Sequence, residues 1–232
     1  LWHVSDPKFY NAPINKLLSK EYAKKRFNEI DNKLASFDYD IGFFNTEGDT
    51  VYISVVDKDG NACSFINSLF QSFGSGLVIP NTGIAMNNRG SLFSLNENHP
   101  NKLEPNKRPY NTIIPSLITR NGNFVSSLGV MGGFQQPQGH LQVISNMLDQ
   151  EMSPQASLDA PRFNFDFMSS KVNLEDSFRE ETYGVLSSFK HKINILNNYE
   201  KGTFGGGQII NKLNDSLISG SDPRKDGSAL SY

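Results

Sequence analysis

Ten residues, Gly48-Asp49-Thr50-Val51-Tyr52-Ile53-Ser54-Val55-Val56-Asp57, combine a small polar lead-in, a threonine and a strand-forming run. Breaking the Asp49–Thr50 bond would leave Thr50 with a hydroxyl and a free α-amine on one residue. The hydroxyl is a nucleophile and the amine its base, so one residue would supply both parts of an acyl-transfer machine. An α-amine with a pKa of roughly 7.7–8.0 is partly neutral near pH 7, where a lysine is almost wholly protonated. A second hydroxyl belongs to the same neighbourhood. Lys58-Asp59-Gly60-Asn61 reads as a hairpin turn between strands at 50–57 and 62–69, and an antiparallel register about it sets Ser68 opposite Thr50 or one place away. The hairpin alone leaves Ser68 either a partner that orients Thr50 or an ordinary strand serine. Further on, Gly132-Gly133 lies between a strand and a helix. Such a junction aims backbone N–H groups at developing negative charge, or is a plain turn.

The elements that must hold these residues read as an α+β protein. Of 232 residues, 37% are hydrophobic and 17 are Phe, which suits one large domain with a core. A net charge of −2, with the signs mixed along the chain, gives no nucleic-acid surface. The single Cys63 rules out an internal disulfide, and no Cys/His cluster suggests a metal. No run reaches the ~18 apolar residues of a membrane helix. The start at Leu1-Trp2-His3 reads as part of a longer product.

Along the chain, Ser19 should cap a packing helix reaching about Ser36, with Ala23, Phe27, Ile30 and Leu34 on one face. Residues 37–49 read as a linker suited to cleavage. Phe73-Gly74-Ser75-Gly76 is a tight turn and Pro80-Asn81-Thr82-Gly83 another, before a short strand at Ile84–Met86; residues 94–111 form a long loop. Strands at 113–119 and 123–128 meet at Asn121-Gly122. A helix with Leu141, Ile144, Met147 and Leu148 on one face follows His140, and Ser153-Pro154 opens a short helix. Strands at 162–167 and 171–174, a helix near 177–188, and strands at 192–196, 207–211 and 216–220 complete the chain. No Gly-x-Ser-x-Gly elbow appears, and His3, His99, His140 and His191 read as structural or surface residues.

Taken together, Gly48-Asp49-Thr50, Ser54-Val55-Val56-Asp57-Lys58-Asp59-Gly60, Phe73-Gly74-Ser75-Gly76, Asn87-Asn88, Pro105-Asn106-Lys107-Arg108-Pro109, Gly132-Gly133, Ala160-Pro161-Arg162-Phe163 and Gly220-Ser221-Asp222-Pro223-Arg224 resemble the γ-glutamyltransferases, a family of N-terminal-nucleophile (Ntn) hydrolases. The resemblance runs from about residue 6 to the end. It implies a four-layer αββα sandwich and a precursor that cleaves itself before Thr50. Residues 1–49 would then be the tail of a large subunit and 50–232 the small catalytic subunit. It implies no cofactor and no metal. The implied partners are the large subunit and a small γ-glutamyl or other acyl amide, with no nucleic acid and no membrane segment in this stretch, and a dimer of such heterodimers as a larger assembly. By position, Thr50 is the nucleophile, Ser68 its hydrogen-bonded partner, and Gly132 and Gly133 the oxyanion hole. The glutamyl contacts differ. Phe70 stands for an asparagine, Leu92 for the aspartate that binds the α-amine, and Asn111-Thr112 for a serine pair that grips the α-carboxylate. Arg89 is a further candidate contact. The resemblance thus implies a retained catalytic engine with an altered substrate clamp, like that of acylase-type relatives. An acylase or amidase of other specificity, and an uncleaved binding homologue, are its alternatives.

Overall fold

The computed structural model describes residues 2–36 and 48–231. Residues 37–47 of the expected linker lie outside the described residues; Gly48 and Asp49 belong to the first strand.

Two short helices, α1 (Ile14–Leu17) and α2 (Lys20–Phe27), open the chain. Ser19 caps α2 as expected, its side chain accepting from the Tyr22 N–H. The helix stops well short of Ser36, because Asp31 Oδ1 takes the N–H groups of Lys33 and Leu34 and closes a turn. The expected packing face is not buried within this chain: Phe27, Ile30 and Leu34 are all exposed.

β1 (Gly48–Val56) and β2 (Ala62–Gln71) form a two-stranded antiparallel sheet. Gly60 takes the positive φ that the connecting turn needs. β3 (Ser116–Arg120) and β4 (Asn123–Val130) pair across Asn121-Gly122, both at positive φ, as in the tightest hairpins. β3 starts later than expected because Pro115 has no N–H to give the ladder. The expected strand at Ile84–Met86 reduces to one bridge, Val78 to Ala85.

α3 (Gln135–Leu148) begins ahead of the expected start after His140. Pro137 falls in its first turn, where a missing N–H costs nothing. Gly139 reflects close packing rather than a break: a Cβ there would sit 2.6 Å from Val130 Cγ1. The buried face of α3 is Gln135, Gln136, Gly139, His140 and Val143, while Leu141 and Leu148 are exposed. α4 (Pro154–Asp159) has Ser153 as its cap and proline at the first position, as expected. β5 (Phe163–Asp166), β6 (Lys171–Glu175), α5 (Glu180–Ser188) and β7 (Lys192–Leu196) make a three-stranded sheet, with α5 crossing between the parallel strands β6 and β7. β8 (Gly207–Leu213) and β9 (Ser216–Ser221) extend the second sheet to the order β3-β4-β8-β9.

Alternation along β4 fixes the layering. Leu128 and Val130 point to one side, where they join Val143, Leu158 and Ile209 in the main core under α3 and α4. Ser127 and Gly129 face the other side, against β1: Ser127 Oγ bonds Tyr52 and Ser54, and a Cβ on Gly129 would sit 2.5 Å from the Tyr52 ring. The β1–β2 sheet thus covers one face of the four-stranded sheet and the helices cover the other. The fold is α+β, with the two-stranded sheet, the four-stranded sheet and the α3–α4 helices stacked in that order. On β1–β2 the even-numbered side chains turn inward. The odd-numbered Val51, Ile53, Val55 and Phe65 lie exposed on the outer face. No helix among the described residues is long and apolar enough to cross a membrane.

Candidate active site

Thr50 sits on the inner face near the head of β1 and is partly buried. It pairs with Ser68 in the strand register, and its Oγ1 donates to Ser68 Oγ at 3.1 Å. The hairpin arithmetic therefore holds. The register shifts between Asp49, opposite Phe70, and Thr50, opposite Ser68, so a bulge lies at the proposed scissile bond. Phe70 carries this irregularity at φ 79°, unusual for an aromatic residue, and its N–H donates to the same Ser68 Oγ at 2.9 Å. One serine oxygen thus holds the threonine hydroxyl and the strained backbone together.

A cavity of about 470 Å³ opens beside Thr50. Its walls include Tyr52, Met131, Ile209, Lys225 and Leu230. That volume suits a small molecule. Met131 lines this cavity, and the glycine pair follows it in the chain. Gly132 (φ 119°) and Gly133 (φ 56°) both have positive φ, and a Cβ on Gly132 would lie 3.0 Å from the Gly205 Cα. Their carbonyls accept from Gln135 and Gln136 at the start of α3, at 2.9 and 3.1 Å. Among the described residues no acceptor takes the N–H of either glycine.

Arg89 lies in a 3-10 turn, Arg89–Leu92, docked on the end of β2. Asn88 does the docking: its N–H donates to the Leu69 carbonyl and its Oδ1 accepts from the Gln71 N–H. The Arg89 side chain is buried at 8% exposure, with Nη1 on the Ser68 carbonyl at 3.0 Å and Nε on Thr112 Oγ1 at 3.3 Å. Its guanidinium lies 6.0 Å from the Phe70 ring centre, Nη2 has no partner among the described residues, and burial draws its pKa below the usual arginine value. Arg89, Thr112 and Ser68 are therefore brought together. Asn111 is not: it is exposed and its Oδ1 accepts from the nearby Ile113 N–H, at 3.5 Å. Phe70 (1% exposed) and Leu92 (2%) are buried apolar side chains.

Two features escaped the sequence reading. Tyr52, Ser54, Ser64 and Ser127 form a hydroxyl cluster joining β1 and β2 to β4, with contacts of 2.6–3.1 Å. Polar side chains at alternate positions of an otherwise apolar strand were its signal. The second is a buried ion cluster. Arg162 Nη2 meets Asp222 Oδ2 at 2.5 Å; Arg224 reaches Glu175 through Nε and Nη2 at 2.5 and 2.6 Å, and Asp222 through Nη1 at 3.2 Å. Asp222 also accepts from the Gly207 N–H. The Pro161-Arg162 and Asp222-Pro223-Arg224 pieces were visible, but their pairing across 60 residues was not. His140 is buried, with Nδ1 2.6 Å from the Gln136 carbonyl and Nε2 accepting from the Val130 N–H at 3.4 Å, which fits its structural reading.

Known proteins resemble this chain over nearly all of its length. The Gamma-glutamyltranspeptidase family profile matches residues 2–232. The glutathione hydrolase-like YwrD proenzyme of Bacillus subtilis is 35% identical over 98% of this chain and 43% of its own length. The oxamate amidohydrolase proenzyme of Klebsiella pneumoniae is 33% identical over 99% of this chain and 44% of its own. The chain thus spans less than half the length of these curated relatives. Among solved structures, cephalosporin acylase from Bacillus halodurans superposes with a TM-score of 0.86 at 41% identity, over 99% of this chain and 41% of that one. A gamma-glutamyltranspeptidase from Pseudomonas nitroreducens superposes at 0.69 with 25% identity, over 78% of this chain and 98% of that one. With the match unbroken from the first helix to the last strand, the chain belongs to the gamma-glutamyltranspeptidase family of Ntn hydrolases.

Proposed function

We propose that this chain is the catalytic part of a self-cleaving amide hydrolase or acyl transferase, with Thr50 as its nucleophile. The observation that carries this reading is the Thr50–Ser68 hydroxyl pair, set at a bulge one residue after Asp49. In maturation, Thr50 Oγ1 attacks the Asp49 carbonyl carbon. The acyl group shifts from nitrogen to oxygen, and water cleaves the ester to leave the Asp49 carboxylate and a free Thr50 amine. In turnover, that amine takes the hydroxyl proton as Oγ1 attacks the substrate amide. The tetrahedral oxyanion lies against the N–H groups of Gly132 and Gly133, whose freedom from other acceptors among the described residues supports the assignment. Collapse returns the proton to the leaving amine and leaves an acyl-threonine ester, which water or an acceptor amine resolves.

In this reading residues 1–49 end a large subunit and 50–232 form the small one. The rest of the precursor supplies the fourth layer of an αββα sandwich, covering the exposed outer face of β1–β2. The test is N-terminal sequencing of the smaller product of the full precursor. The expected sequence begins Thr-Val-Tyr-Ile, and Thr50→Ala should give one uncleaved band and no turnover. Turnover by an uncleaved Thr50→Ala protein would end the assignment.

The buried apolar Phe70 and Leu92 favour an acyl specificity other than γ-glutamyl within the same chemistry. Neither can receive an α-ammonium, and Arg89, a cation beside them, repels one.

A further inference from the structure

We propose that Tyr52 and Ser127 are positioning residues of the acyl transfer: their buried hydroxyls hold β1 against β4 and so set the distance from the Thr50 hydroxyl to the Gly132–Gly133 pair. The proposal rests on Thr50 being the nucleophile and on that pair receiving the oxyanion.

The topology creates the need. Thr50 stands on the two-stranded sheet, whereas the glycine pair follows β4 of the four-stranded sheet. β1 and β4 belong to different sheets, so backbone ladders do not set their spacing and side chains must. Apolar packing is non-directional and lets two sheets slide. A displacement of about 1 Å at a reacting centre can cost on the order of 100-fold in rate.

Tyr52 is placed to prevent that slide. It is two residues on from Thr50, turns to the same inner face, lines the same cavity and is 5% exposed. It meets three successive inward positions of β4 and its continuation. Its hydroxyl lies 3.1 Å from Ser127 Oγ, a Cβ on Gly129 would sit 2.5 Å from its ring, and it packs with Met131, the residue before Gly132. Ser127 is fully buried and also accepts from Ser54 Oγ at 2.6 Å, so two β1 side chains end on one β4 oxygen. Ser64, on β2, meets the Tyr52 hydroxyl at 2.7 Å. Buried hydroxyl contacts of this kind are directional and stronger than in water, so they fix what apolar packing leaves loose.

Maturation and turnover depend on this spacing differently. In maturation Thr50 attacks the carbonyl of Asp49, its neighbour within β1, so the distance from β1 to β4 does not enter the attack. In turnover the oxyanion lies on the β4 side. Loosening the Tyr52–Ser127 contact should therefore slow turnover and spare cleavage.

The test uses the full precursor as Tyr52→Phe, Ser127→Ala, their double variant and Ser64→Ala. Cleavage is followed on gels, and turnover with γ-glutamyl, glutaryl and acetyl p-nitroanilides. Tyr52→Phe keeps the ring over Gly129 and Met131 and removes the hydroxyl. On the best of the three substrates, Tyr52→Phe and Ser127→Ala should each lower kcat roughly 10-fold, with KM and the cleavage half-time within about twofold of the unaltered protein. The double variant should lose no more than Ser127→Ala alone, because both changes break the same contact. Ser64→Ala also takes a hydroxyl from Tyr52, but on the strand that already ladders with β1, and should lower kcat by less than either. Cleavage and turnover that fall together mark a structural role and overturn the proposal. So do an unchanged kcat in both single variants, additive losses in the double, or a loss in Ser64→Ala as large as in Ser127→Ala. If Tyr52→Phe does not fold, the comparison of Ser127→Ala with Ser64→Ala decides. These outcomes leave the Thr50 assignment standing. Turnover by an uncleaved Thr50→Ala protein, or cleaved protein idle on every anilide, sinks the catalytic reading and this proposal with it.

Discussion

Ser68→Ala removes the oxygen that accepts from both Thr50 Oγ1 and the Phe70 N–H. The threonine then rotates freely and the bulge loses its side-chain tie. Losing such bonds costs about 1–3 kcal/mol, so maturation and kcat should each fall roughly 10- to 100-fold. Ser68→Thr keeps an oxygen at the same place and should retain most of the rate; gel-based cleavage kinetics and turnover with one anilide check both variants. At this scale the sequence was most informative. A fixed hairpin sum was enough to pair residues 50 and 68, because antiparallel register permits few choices. It could not show the bulge at Asp49 or the positive φ of Phe70, which arise where β2 turns to meet the Asn88 side chain.

Among the elements, the junction of β4 with α3 holds the glycine pair, and His140 braces it from behind. Burial pushes the His140 pKa below its usual 6.5, against the opposing pull of the Gln136 carbonyl. The unfolded chain therefore takes up a proton near pH 6.5 that the folded one refuses until lower pH. The stability this group contributes is full above pH 6.5 and is lost as pH falls below it. Urea midpoints of the precursor should drop between pH 7.5 and 5.5, and His140→Gln should flatten that slope. Gly205 braces the same junction from the other side. At φ 75°, its Cβ would meet the Met131 carbonyl oxygen at 2.1 Å. Gly205→Ala should thus destabilise by about 1–3 kcal/mol in urea melts and depress kcat with it, through displacement of Met131 and Gly132. Strand and helix identities were largely legible from alternation and caps, as at Ser19 and Ser153. Their ends were less so. The start of α3 was hidden because Pro137 and Gly139 look like breakers until the first turn and the Val130 contact are seen.

Across the whole molecule, the Arg162–Asp222–Arg224–Glu175 cluster ties α4, β6 and the segment after β9 into one body. Asp222→Asn takes the paired carboxylate from the buried Arg162 while Arg224 keeps Glu175, and the expected loss is about 3–5 kcal/mol, read from urea unfolding of the precursor. The outer face of β1–β2 bears on assembly instead. Phe65→Lys changes an exposed side chain, so it should leave the catalytic sheet pair folded. It should also reduce recovery of the large subunit with a tagged small one, if that face is where the rest of the precursor packs. Sequence patterning gave the apolar residues of this face but not their exposure. Burial depends on partner layers, and an apolar strand reads alike whether its cover lies in the same chain or elsewhere.

Phe70, which the resemblance sets at the place of an asparagine, lies in left-handed backbone. Asparagine is among the few side chains at ease there, whereas a ring is not. A Phe70→Asn swap would therefore relax the main chain while placing a polar amide beside the Arg89 guanidinium. On the proposed reading, the step from phenylalanine to asparagine here runs downhill for the backbone, so selectivity could shift at this position without a cost in main-chain strain.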